Sequence, residues 1–129
     1  MLDFNWYGDL VKPLFSPPAW VFSPVWIILY ITIAISFLII LFKRSELSKS
    51  DSIMWFIVQI ILNIVWTPVF FGMKNITLAL AILILLDFSV FMTIKSFYNL
   101  SKIAGMLLIP YFVWILFATY LNAGLLLLN

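Results

Sequence analysis

The chain has 129 residues, of which 66% are hydrophobic and 9% charged, with a formal net charge of +2. Soluble domains carry about 25% charged residues, so this composition cannot clothe a water-facing surface. There is no cysteine and no histidine, which excludes a disulfide framework, a thiolate zinc site, an iron–sulfur cluster and the usual general base or proximal haem ligand. The basic residues are scattered, so no nucleic-acid partner is expected.

In chain order, residues 1–20 read as a proline- and aromatic-rich N-terminal loop. MLDFNWYGDL has no basic n-region, so no signal peptide is expected and the sequence reads as mature protein. The stretch Lys12–Tyr30, KPLFSPPAWVFSPVWIILY, holds four of the six prolines. Proline fixes φ and lacks an amide donor, so residues 13–18 cannot continue a helix. Pro24 sits where a first helical turn tolerates it. The expectation is a rigid cap over the mouth of a bundle. Apolar runs then predict helices over about 21–42, 53–71, 76–97 and 103–128, each close to the roughly 20 residues that span a bilayer. The predicted fold is an all-α membrane protein, one transmembrane domain over residues 1–129, a four-helix bundle preceded by the capping loop. Open sheet edges are excluded in hydrocarbon, and the chain is too short and too uniformly apolar for a barrel.

The connections are short, which predicts that sequential helices are antiparallel neighbours. Ser50 or Asp51 is expected to cap the second helix, Gly72 to end it in a left-handed conformation and Asn75 to cap the third. The last turn is expected over SFYNLSK. Pro68 and Pro110 lie inside helices and should release the carbonyls of Ile64 and Met106. Lys43, Arg44, Lys49, Lys95 and Lys102 share one side, against Lys12 and Lys74 on the other. The positive-inside rule then places loops 43–52 and 95–102 in the cytoplasm and both termini outside a prokaryotic cell membrane.

Lipid-facing positions need only be apolar, so polar and aromatic residues at helical spacing mark inner faces. The second helix shows Gln59, Asn63, Trp66 and Phe70. The first shows Trp26, Tyr30, Ile33 and Phe37, and the last Tyr111, Trp114, Ala118 and Leu121 or Asn122. The third offers Leu78, Ala81 and Leu85. These stripes fit an aromatic-lined cavity for a flat hydrophobic ligand. They fit inter-helix packing as well, with Trp55 as an interface anchor. Asp87 is the one acid expected inside the bilayer. Nine residues separate it from Leu78, which turns it away from the stripes. A role at a helix–helix or subunit contact is expected.

Three segments carry a family resemblance: WYGDLVKPLFSPPAWVFSPVWIILY (6–30), QIILNIVWTPVFFG (59–72) and LLIPYFVWILFATYLN (107–122). In order and spacing they resemble the translocator protein family, also called tryptophan-rich sensory proteins or the peripheral benzodiazepine receptor family. The resemblance implies a receptor- or transporter-like membrane protein, commonly a homodimer, that binds porphyrins such as protoporphyrin IX or haem as ligand, with no cofactor required. The chain would correspond to helices 2–5 of a five-helix fold, with the WY motif within eight residues of Met1. The cavity would then lack one wall unless a second subunit or lipid supplies it, and the cap would be more mobile than in five-helix relatives. Carried onto matching positions, the resemblance implies a ligand site of Phe22, Ser23, Val25, Trp26, Asn63, Trp66, Leu78, Ala81, Leu85, Trp114, Ala118 and Leu121, and Tyr30 joins it from the stripe on the first helix. Phe15 replaces a family tryptophan, Leu78 a frequent aromatic and Ile82 the usual acid. The ending LNAGLLLLN lacks the tyrosine–basic pattern linked to sterols.

Tetrapyrrole binding, sensing or transport is the leading expectation. With no histidine, metal-free porphyrin should bind at least as well as haem. Two other readings stand beside it. One is photo-oxidative breakdown of porphyrin at Trp26 and Trp114, since no residue set for acid–base or metal catalysis is visible. The other is a small dimeric four-helix transporter using Asp87.

Overall fold

A computed structural model describes residues 21–43 and 49–128. The capping loop expected over residues 1–20, including Lys12 and Phe15, lies outside the described residues, as does the charged stretch 44–48. The described chain is helical, with no strand among its residues. Its elements are α1 (Phe22–Phe42), α2 (Ser50–Thr67) running on into a π-turn (Pro68–Gly72), α3 (Ile76–Leu100), α4 (Lys102–Leu107) and α5 (Ile109–Leu128). They form four stretches long and apolar enough to cross a bilayer, of 19, 23, 25 and 27 residues. In hydrocarbon the backbone must satisfy its own hydrogen bonds, and the helix does so within one segment.

Each interruption has a local cause. The α1 C-terminus is closed by Lys49, whose Nζ donates to the Leu41 carbonyl at 3.1 Å, a cation placed where the helix dipole favours it. Neither Ser50 nor Asp51 holds the N-cap of α2. That position is Lys49, without a side-chain cap bond, because the helix starts a turn earlier than expected. Pro68 has no N–H to offer the Ile64 carbonyl, and the ladder widens there to i→i+5: Met73 N donates to Pro68 O at 2.9 Å. Instead of a simple bend, the wide turn buries the consecutive Val69, Phe70 and Phe71. The left-handed residue is then Lys74 (φ 57) and not Gly72, since the π-turn carries the helix past the glycine before the chain reverses. Asn75 caps α3 as expected, accepting from Leu78 N at 3.0 Å.

The last turn is tighter than SFYNLSK implied. Helix α3 runs to Leu100 and only Ser101 separates it from α4. Ser101 is extended, donates its N–H to Phe97 O at 2.7 Å and accepts from Ala104 N at 3.3 Å. So sharp a reversal presses α4 onto the end of α3, and Gly105 marks the contact. A Cβ built there would lie 2.8 Å from Tyr98 Cβ and 2.9 Å from Tyr98 Cα. Pro110 explains the break at Leu108. With no proline N–H for the Met106 carbonyl, one turn tightens (Leu108 N to Gly105 O, 3.2 Å), and regular bonding resumes at Phe112 N to Leu108 O, 2.9 Å.

Helix α3 is the hub, packed along α2 on one side and along α4 and α5 on the other. Helix α1 lies against α4 and α5, tied by Ser36 Oγ donating to Ala104 O at 2.7 Å. Among the described residues the backbones of α1 and α2 do not pair closely, against expectation. Rings fill that seam instead: Phe37 stacks on Phe56 with centroids 4.1 Å apart, and Phe56 lies 6.0 Å from Phe97. Phenylalanines on both helices hold the two backbones apart.

Gly105→Ala should destabilise the protein by about 1–3 kcal/mol, because backbone atoms of Tyr98 have to move. The check is the thermal unfolding midpoint in detergent, which should fall by several degrees with helix content unchanged at low temperature.

Candidate ligand site

The interior between α1, α2 and α5 is organised by one hydroxyl. Tyr111 is fully buried. Its Oη donates to Gln59 Oε1 at 2.8 Å and accepts from Asn63 Nδ2 at 2.8 Å. Tyr30 Oη in turn donates to Asn63 Oδ1. The chain Tyr30–Asn63–Tyr111–Gln59 therefore links three helices through side chains four residues apart on α2. Gln59 Nε2 is buried and has no hydrogen-bond partner among the described residues. A chain of neutral groups suits hydrocarbon, where an unpaired polar group costs several kcal/mol and a charge more.

Aromatic rings surround the outer end of this chain. Trp26 stands 5.6 Å from Tyr30, 6.4 Å from Tyr111 and 6.4 Å from Trp114 between centroids, the two indoles at 86°. Trp26 and Trp114 are half-buried and Tyr30 is 40% exposed, so the cluster forms a mouth and not a sealed core. One or two turns nearer the link between α2 and α3, Trp66 stacks on Phe70 at 5.2 Å and meets Phe71 edge-on at 6.1 Å. Trp66 Nε1 donates to Asn122 Oδ1 at 3.3 Å, and Asn122 Nδ2 donates to Ile76 O at 2.9 Å. With Ala118, Leu121 and Leu125 these rings enclose only about 10 Å³. Ligand pockets take about 300–1,000 Å³, so this layer is packed and the mouth is the accessible part.

Of the predicted site residues, Trp26, Tyr30, Asn63 and Trp114 come together at the mouth, with Val25 half-buried beside them. Trp66, Ala118 and Leu121 share the packed layer beside the link between α2 and α3. Phe22 and Ser23 fall in the first turn of α1, and their side chains lie outside the described residues. Leu78, Ala81 and Leu85 are not brought to either layer. They are exposed on the outer face of α3, Leu78 at 42% and Leu85 at 57%. The inner face of α3 is instead Ala79, Leu83, Leu86, Val90, Thr93 and Phe97. An all-apolar helix carries no periodic signal to separate the two, because lipid accepts leucine as readily as a neighbouring helix does. The site set omitted Tyr111, Gln59 and Asn122, although all three lay on the stripes.

Asp87 sits half-buried between α3 and α5, off the ligand face as expected. Thr119 Oγ1 lies 2.6 Å from its Oδ2 and 2.8 Å from Ile115 O. One hydroxyl proton faces two acceptors. A carboxyl carrying its own proton satisfies both, donating to Thr119 while Thr119 donates to Ile115. The contact lies within one protomer, between two helices.

The profile of the TspO/MBR family matches residues 2–128. The chain belongs to that family. It is 42% identical over 125 residues to the tryptophan-rich protein TspO of Archaeoglobus fulgidus, covering 97% of this chain and 80% of that protein. It is 36% identical over 126 residues to the tryptophan-rich sensory protein of Cereibacter sphaeroides, covering 97% and 77%. With the human translocator protein it shares 33% identity over 120 residues, covering 92% and 71%. Together with the four bilayer-length helices, membership makes this TspO/MBR chain an integral membrane protein.

Tyr111→Phe should cost about 1–3 kcal/mol, because it strands the Gln59 carbonyl and the Asn63 amide in a dry interior. In a Gln59→Leu background the same change should cost less, since one stranded group is already gone. Thermal unfolding of the four proteins of this cycle in detergent measures the difference.

Proposed function

We propose that the protein binds flat, apolar tetrapyrroles of the protoporphyrin class at the mouth formed by Trp26, Tyr30 and Trp114, as part of sensing or transport. One observation carries the reading: two indoles from different helices meet at a right angle 6.4 Å apart, partly exposed, above a buried chain of neutral hydrogen bonds. A macrocycle laid on an indole face buries area at about 25 cal/mol per Å² and gains ring–ring contact besides. The loose seam between α1 and α2 supports the same reading. Side chains and not close backbones seal it, so changes of side-chain rotamer at Tyr30 and Trp26 widen the mouth without unpacking α3. Family membership adds support, and the names of the relatives, sensory protein and translocator protein, match a ligand-responsive role. Without a histidine in the chain, recognition rests on ring stacking and shape, not on axial ligation of a metal.

Titration with protoporphyrin IX should quench tryptophan fluorescence partially and saturably. Trp26→Leu and Trp114→Leu should each weaken binding by about tenfold, the loss of roughly 1.4 kcal/mol of ring contact and buried area. Ala81→Leu, on the outer face of α3, should leave the affinity unchanged. Linear, non-saturating quenching that ignores both tryptophan substitutions would mean partitioning into detergent and would remove the reading.

A further inference from the structure

The outer face of the bundle carries a second concavity, remote from the indole mouth. Between α2 and α3 runs an apolar trough of about 400 Å³, lined by Val58, Ile61, Leu62, Leu85 and Phe88. At the α1–α2 loop end lies a polar hollow of about 160 Å³, lined by Asp51, Lys95, Ser96 and Asn99. Trp55 lines both, so the two hollows adjoin at its ring and together make one groove-like surface along α2 and α3. Trp55 also meets Phe88 edge-on at 5.8 Å, which sets the floor where apolar gives way to polar. Ser52 and Ser96 are hydrogen-bonded Oγ to Oγ at 2.7 Å and hold the helices together beneath the hollow.

The dimensions and charges select an occupant. Leu85 and Lys95 are ten residues apart on α3, about 15 Å along the helix axis. That is half of the roughly 30 Å hydrocarbon thickness, one leaflet. An indole at the junction sits at the depth where tryptophan is favoured, the boundary between hydrocarbon and headgroups. The polar end offers one cation and one anion, with an amide and a hydroxyl beside them. We propose that this groove holds one phospholipid with a zwitterionic, primary-ammonium headgroup of the ethanolamine type. An acyl chain lies along Leu62, Leu85 and Phe88. The phosphate takes charge-assisted hydrogen bonds from Lys95 and the Asn99 amide. The ammonium donates to Asp51. An anionic headgroup without a cation leaves Asp51 facing a phosphate, a like-charge contact. A quaternary ammonium brings the charge but no N–H for Asp51 to accept. A second copy of this chain would have to press an apolar helix onto Asp51 and Lys95 and leave both desolvated.

The test uses the full chain, purified in detergent and stripped of lipid. Phosphatidylethanolamine, phosphatidylcholine and phosphatidylglycerol are added back singly, and retained lipid is read by native mass spectrometry with the unfolding midpoint in parallel. The expected result is one retained phosphatidylethanolamine per protomer, favoured about tenfold over the other two, the worth of one charge-assisted contact. Asp51→Asn should erase that preference while lipid is still retained. Leu85→Trp, which fills the trough from an exposed position, should abolish retention with helix content and the lipid-free midpoint unchanged. Brominated phosphatidylethanolamine should quench wild type more than Trp55→Phe. Phosphatidylglycerol held as tightly as phosphatidylethanolamine would make this an anionic-lipid site and overturn the proposal. Retention indifferent to Leu85→Trp, or a Leu85→Trp protein changed only in oligomeric state, would overturn it too.

Discussion

The Tyr111 hydroxyl sets the constraint on which the bundle depends. It lies in a dry interior and has to be satisfied there. Two amides on α2, Gln59 and Asn63, satisfy it, and Tyr30 on α1 completes the chain. Because every partner comes from a different turn or a different helix, the bonds fix the rotation of α1, α2 and α5 about their own axes. Apolar packing alone would not. Lipid tails compete with side chains for any leucine-rich face, and the rotation of a uniformly apolar helix is then weakly determined.

The same chain explains why the indole cluster is where it is. Trp26 and Trp114 lie one turn before Tyr30 and three residues after Tyr111, so the rotation that pairs the hydroxyls also turns both indoles to the same mouth. The proline that ends α2 contributes near the link to α3. By forcing an i→i+5 turn it places Phe70 and Phe71 together against Trp66, and the space beside the mouth is filled. The proline in α5 acts differently. It ends a short helix whose single-residue link to α3 requires a glycine at the contact with Tyr98. Two residues of one type have two consequences, set by which carbonyl each releases and by what is near enough to fill the gap.

The inner faces of α2 and α5 were legible because each carries polar or aromatic residues at three- and four-residue spacing: Gln59, Asn63 and Trp66 on one, Tyr111, Trp114 and Asn122 on the other. Such residues are costly toward lipid, so their spacing reports direction. Helix α3 was not legible in that way. Leu78 and Leu85 differ from Ala79 and Leu86 by one step of about 100°, and nothing in their chemistry separates the exposed set from the buried one. The left-handed residue was misplaced onto Gly72 for a related reason. Glycine favours that conformation but does not require it, and the π-turn moved the reversal to Lys74. The groove between α2 and α3 had no signal in either helix alone. Asp51 and Lys95 are 44 positions apart and become one headgroup-sized hollow only when the helices pair.

The sequence by itself determined that the chain is helical, that it crosses a membrane and which family it belongs to. These follow from local quantities: run length, charge content, proline positions and three ordered motifs. The tertiary structure alone decided which face of α3 looks inward, that α1 pairs with α4 and α5 more closely than with α2, and that Tyr111 is the centre of the polar chain. In lipid the hydrophobic effect does not distinguish inside from outside. Orientation passes to the few hydrogen bonds and close contacts that form only between helices, and no single segment contains them.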